Sequence, residues 1–251
     1  MTLMKYEFLK VKRLRGLHLV YVFPLLMSGI ALMEMLKRIS LSAPAQIIPS
    51  FSTVYFQFYV LFSPLVIALI LFSLIQVENK NKMWESSILL PIGKGRIYLG
   101  KVLISVVFIL SYCIISYLFY MGILFICKAF YPEMIGINHT DNIVLIIFFS
   151  RIGVSLILYG SLLIPVFIYI DSVILALGTF LFFITLSLFL TQKSWYFYYP
   201  FSYHLTVLNT FRAEYDALKD KGIWVAVTYA SFAFVLGMVL FKKLSPGKVS
   251  N

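Results

Sequence analysis

The chain has 251 residues, 61% of them hydrophobic and 12% charged, with 21 Lys+Arg against 10 Asp+Glu for a net charge of +11. A soluble domain carries about 45–50% apolar and about 25% charged residues, and a disordered chain still fewer apolar ones, so both classes are excluded. A polytopic membrane protein fits, with the basic excess facing anionic lipid rather than marking a nucleic-acid footprint.

A bilayer core of about 30 Å takes about 20 helical residues. Residues 1–15 precede the first such block: Met4, Phe8, Val11 and Leu14 share one helical face, with Lys5, Lys12 and Arg15 opposite. That pattern predicts an amphipathic helix lying on the inner membrane surface. The basic residues, the apolar run after them and Ala43-Pro44-Ala45 imitate a signal peptide. However, the run from Gly16 to Leu36 is longer than a secretory core of about 7–15 residues, and Lys37 and Arg38 interrupt the approach to the A-x-A. We read an uncleaved span over 16–36. Further spans are predicted over 54–76, 99–126, 143–170, 173–190 and 223–241. Pro24 and Pro165 fall inside spans, which membrane helices tolerate. The expected fold is an all-α, six-span single transmembrane domain with no room for a soluble one.

An even number of spans puts both termini on one side. With Lys101, at the boundary of span three, counted to the second loop, 13 basic residues lie on the side of the termini and 7 opposite. Arg151, inside span four, completes the 21. The positive-inside rule then places both termini in the cytoplasm. Residues 191–222 form the longest outer loop. It opens with Trp195-Tyr196-Phe197-Tyr198-Tyr199-Pro200-Phe201, a block typical of membrane–water boundaries. From Leu205 to Lys221, Leu208, Phe211, Tyr215 and Leu218 recur at spacings of three and four, predicting an interfacial helix.

Catalytic signatures fail one by one. Cys113 and Cys127 lie in one apolar stretch with no CxxC pair, and read as small buried hydrophobes. His18, His139 and His204 have no partner at metal-ligand spacing. Asp171 lacks the second aspartate of an intramembrane dyad, and no G-x-S-x-G occurs. Asn138-His139-Thr140 is a glycosylation sequon only in a eukaryotic secretory pathway. Gly95-Arg96-Ile97-Tyr98-Leu99-Gly100-Lys101 matches G-x-x-x-x-G-K, but Val102 stands where Ser or Thr should bind magnesium, and no buried strand precedes it.

Two features remain. Arg151 is a charge inside a span, which marks either a translocation path or a structurally neutralised group, and Glu34 near the outer end of span one is a candidate partner. Between spans two and three, Glu78 to Ile92 predicts a short cytoplasmic helix ended by Pro91, offering Trp84 and Ile88 to a docking partner.

These residues resemble a known family. The N-terminal E-F-L-K-x-K-R, six spans and a second-loop E-x(6)-E-x-x-x-L-L-P-I-x-x-x-R-I-Y-L-G-K, carried by Glu78, Glu85, Leu89, Leu90, Pro91, Arg96 and Lys101, are similar to ABC-2-type permeases, the membrane subunits of ATP-binding-cassette exporters (type V exporter-like fold). The resemblance implies that residues 78–92 are the coupling helix, with Glu78, Trp84, Glu85, Ile88, Leu89, Leu90 and Pro91 meeting a cytoplasmic ABC ATPase. It implies an outer segment between spans five and six that re-enters the membrane. It also implies a dimer with a second copy or a homologous permease, no cofactor on this chain, and ATP and Mg on the ATPase. In length and in its Lys-, Ile-, Phe- and Tyr-rich makeup the chain is most similar to small permeases of the Gram-positive cell membrane. Those export amphipathic peptides, as phenol-soluble modulin exporters and lantibiotic-immunity permeases do. Exporters of drugs, lipids, ions or polysaccharides share the layout. A membrane-embedded enzyme or a channel is the competing class, and the sequence shows neither a convergent catalytic set nor a repeated polar face.

Overall fold

The computed structural model describes residues 18–39, 47–80, 93–130, 142–170, 172–190, 193, 195–208 and 221–243. Residues 16–17 lie outside the described residues and Ile170 ends its block one residue past a helix; otherwise the predicted apolar blocks fall on successive helices. These are α1 (Leu19–Ile39), α2 (Ile47–Lys80), α3 (Lys94–Phe130), α4 (Asn142–Tyr169), α5 (Val173–Leu190) and α6 (Lys221–Lys243). Among the described residues there is no strand. Four helices, α2, α3, α4 and α6, are long and apolar enough to cross a membrane, and α1 and α5 contribute shorter apolar stretches, Val20–Glu34 and Ile174–Leu190.

The helices outrun the apolar blocks. The 34 residues of α2 and 37 of α3 amount to about 51 Å and about 56 Å at 1.5 Å per residue. Hydropathy detects where a helix meets lipid, whereas backbone hydrogen bonding carries the helix on through polar residues until a breaker stops it. So α2 continues through Glu78-Asn79-Lys80 instead of breaking at the predicted start of a separate helix. Pro24, Pro64 and Pro165 are all accommodated inside helices.

The interior is built on α4, which packs on α2, α3 and α6; α1 covers α2 and α3, and α5 covers α2. Aromatic side chains fill the seam between α2, α3 and α4. Phe51, Tyr55 and Tyr59 recur every four residues on α2 and are fully buried. Tyr59 stacks on Tyr112 at 5.5 Å, Phe51 on Tyr120 at 5.8 Å, and Phe56 meets Phe148 at 4.6 Å. Such pairs add about 0.5–1.5 kcal/mol each beyond area burial. Two phenolic groups here are tied across helices: Tyr55 donates to the Ser116 carbonyl at 2.9 Å, and Ser52 and Tyr120 share a 2.8 Å bond. Gly160 lets α4 approach both neighbours, since a Cβ there would lie 3.4 Å from Ile109 and 3.6 Å from Leu71.

Candidate functional site

Between α5 and α6 the chain folds back into the helices. Residues 196–198 and 200–202 form two 3-10 turns, followed by the helical turn Tyr203–Thr206. A loop is buried only if its polar groups are satisfied locally. Here Ser202 Oγ donates to the Tyr199 carbonyl at 2.7 Å and the Tyr196 carbonyl at 2.5 Å, and Thr206 Oγ1 donates to the Tyr203 carbonyl at 2.6 Å. Those bonds draw Phe201-Ser202-Tyr203-His204 into a compact plug, all four residues buried.

The plug is received by one face of α4. Arg151, Ser155 and Tyr159, spaced by four residues and all buried, line that face. Tyr159 donates to the Phe201 carbonyl at 2.7 Å and also shares a hydrogen bond with His204 Nδ1, which lies 2.9 Å from the same carbonyl. The Phe201 ring is stacked between Tyr159 at 5.2 Å and Phe183 of α5 at 5.0 Å. Tyr199 donates to the Phe183 carbonyl at 3.2 Å. Arg151 Nη1 donates to the Val207 carbonyl at 3.4 Å, with its guanidinium 5.8 Å from the centre of the Tyr203 ring. Tyr159 lies about 26 Å along α4 from its first residue, so the plug reaches the middle of the helices.

At the opposite end, Gln76 Nε2 donates to the Ile170 carbonyl at 3.2 Å, joining α2 to the end of α4. Here α3 begins. The Arg96 amide donates to the Gly93 carbonyl at 2.8 Å, and the segment Gly95–Lys101 is helical rather than a glycine-rich loop. Its amides therefore run along a helix instead of converging on a phosphate. Tyr98, fully buried, contacts Phe234 at 5.9 Å and Phe241 at 5.7 Å, both on α6.

Of the residues singled out from sequence, Arg151 is buried at 3% exposure against the 203–207 plug. Glu34 is half-buried on α1, which packs on α2 and α3. Glu78 extends α2. Trp84, Glu85, Ile88, Leu89, Leu90 and Pro91 lie outside the described residues, as do residues 1–15 and 209–220. The aromatic block divides. Trp195 and Tyr198 are more than half exposed, as a boundary block should be, whereas Phe201 is 7% exposed inside the bundle. Tyr159 and His204 are the residues that sequence reading missed. The signal that could have found Tyr159 is its spacing of eight from Arg151 with Ser155 between, a polar line on an otherwise apolar helix.

No curated protein and no solved structure gives a match to this chain. The family model described as ABC-2 family transporter protein matches residues 3–191, a range that contains α1 to α5. With that match and a set of apolar helices long enough to cross a bilayer, the chain belongs to the ABC-2 transporter family, as a multi-pass membrane permease component of an ABC transporter.

Proposed function

We propose that this permease crosses the membrane six times with both termini in the cytoplasm, and exports amphipathic peptides using the ATP and Mg held by a separate ABC ATPase. It works as a pair, with a second copy or a homologous permease completing the path. The observation that carries the coupling half of this reading is the overhang of α2 and α3. At about 51 Å and about 56 Å they exceed a bilayer core of about 30 Å, and the ends at Lys80 and Lys94 hold segment 81–92 between them. Rigid helices that project from the membrane pass a push at their tips to their buried lengths. Residues 78–92, with Glu78, Trp84, Glu85, Ile88, Leu89, Leu90 and Pro91, are the docking element on this reading. Arg151 serves as an anchor for the 196–208 plug, which re-enters the membrane from the outer face; its contacts with Val207 and Tyr203 support that role. Similarity to small peptide permeases in length and makeup supports the substrate class.

The test is a purified complex in proteoliposomes. Trp84→Ala or Glu85→Ala should leave membrane levels unchanged, while ATP hydrolysis no longer drives movement of an amphipathic helical peptide. Undiminished peptide transport in both variants would reject the docking assignment. Hydrolysis with no peptide movement by the wild-type complex would turn the substrate assignment toward drugs, lipids or ions.

A further inference from the structure

Tyr98 stands in the second turn of α3, directly after the segment assigned to docking, and its ring fills a socket made by two other helices. A Cβ on Gly237 of α6 would lie 2.0 Å from Tyr98 Oη and 2.7 Å from Pro165 Cγ of α4, so the phenol occupies the space that any side chain at 237 would need. Phe234 and Phe241, one turn either side of Gly237, close the socket around the ring. A turn earlier on α3, α6 is again a neighbour, since a Cβ on Gly95 would sit 2.7 Å from Met238 Cε, the far end of a flexible side chain. Because Gly237 carries no side chain, the Tyr98 ring lies close against the α6 backbone beside Pro165 of α4, and close packing of this kind couples a shift of α3 at this level to both helices. Pro165 leaves the Ser161 carbonyl without its helical amide donor, which makes α4 easiest to bend at the height of the socket.

The hydroxyl adds a second, independent observation. Tyr98 Oη is buried and has no hydrogen-bond partner among the described residues. A buried hydroxyl left unsatisfied raises the free energy of the arrangement that contains it, and that cost disappears in any arrangement that gives the group a partner or water. The packing seen here is therefore held by shape while its polar atom favours leaving.

We infer that Tyr98 is the positioning residue that passes movement of segment 81–92 to α4 and α6, with Gly237 as its socket and the unsatisfied hydroxyl as the bias toward the second arrangement. This rests on the docking role proposed for residues 78–92.

The test uses the full-length chain purified with its ATPase. Tyr98→Phe keeps the ring in the socket and removes the unsatisfied group. It should raise the Tm of the complex and slow release from the present arrangement. The kcat of coupled ATP hydrolysis should then fall about five- to tenfold with KM for ATP unchanged. A raised Tm with unchanged kcat would make Tyr98 a packing residue only and overturn the inference, as would a lowered Tm or wild-type behaviour in both measurements. Trp84→Ala in the same preparation separates the two readings. If it uncouples hydrolysis from transport while Tyr98→Phe behaves as wild type, only the Tyr98 inference fails. If Trp84→Ala has no effect, or no ATPase co-purifies, the docking reading fails.

Discussion

Tyr159 and Phe201, 42 residues apart in sequence, are joined by a 2.7 Å hydrogen bond from phenol to carbonyl and by rings stacked at 5.2 Å. This pair fixes the segment between α5 and α6 to the middle of α4. Removing the hydroxyl alone, in Tyr159→Phe, leaves the Phe201 carbonyl with His204 as its remaining partner and should cost about 1 kcal/mol, or about 2–4 °C in Tm. Tyr159 also meets the Phe180 ring edge-on at 5.9 Å, so Tyr159→Ala empties the space between Phe180 and Phe201 and should cost about 3–5 kcal/mol. Hydrogen exchange across residues 196–208 should accelerate in the same order; equal exchange in wild type and Tyr159→Ala would refute the anchoring role.

Arg151 combines a carbonyl contact with an aromatic one, and only a planar guanidinium serves both at once. Arg151→Met should cost about 1.5–3 kcal/mol and expose residues 196–208 to protease, with Arg151→Lys falling between it and wild type. Were Arg151 a substrate contact instead, Arg151→Lys would raise the transport KM while protease protection stayed intact.

Two helical glycines should respond oppositely to the same substitution. Gly237→Ala drives a methyl group into Tyr98 and Pro165, and overpacking of this kind costs about 1–3 kcal/mol. At Gly29 no described residue lies within 4 Å of the added carbon, so Gly29→Ala should gain up to about 1 kcal/mol of helix propensity. Melting temperatures of the two variants, measured side by side, decide the point; a tolerated Gly237→Ala would mean that the socket can open.

Much of this architecture was legible in the amino-acid order, because lipid-facing helices need long apolar runs wherever they end up. The blocks at 54–76 and 99–126 fall inside α2 and α3, but the helices extend to 47–80 and 94–130. Hydropathy cannot see a helix that continues into polar residues. The aromatic block at 195–201 was readable as a boundary element at Trp195 and Tyr198 but not at Phe201, whose buried place depends on Tyr159 and Phe183.

By itself, then, the sequence determined that the chain lives in a membrane, where its long apolar runs lie and, through the E-x(6)-E-x-x-x-L-L-P-I pattern, which family to expect. Those properties are local: they depend on the polarity of consecutive residues and on short spacings. Only the tertiary structure decided that Arg151 faces Val207 and Tyr203, that His204 is buried beside Tyr159, and that Gly237 receives Tyr98. Each of those pairs spans 45 or more residues of chain, and what brings them together is the packing of whole helices, set by the summed shape of many apolar side chains.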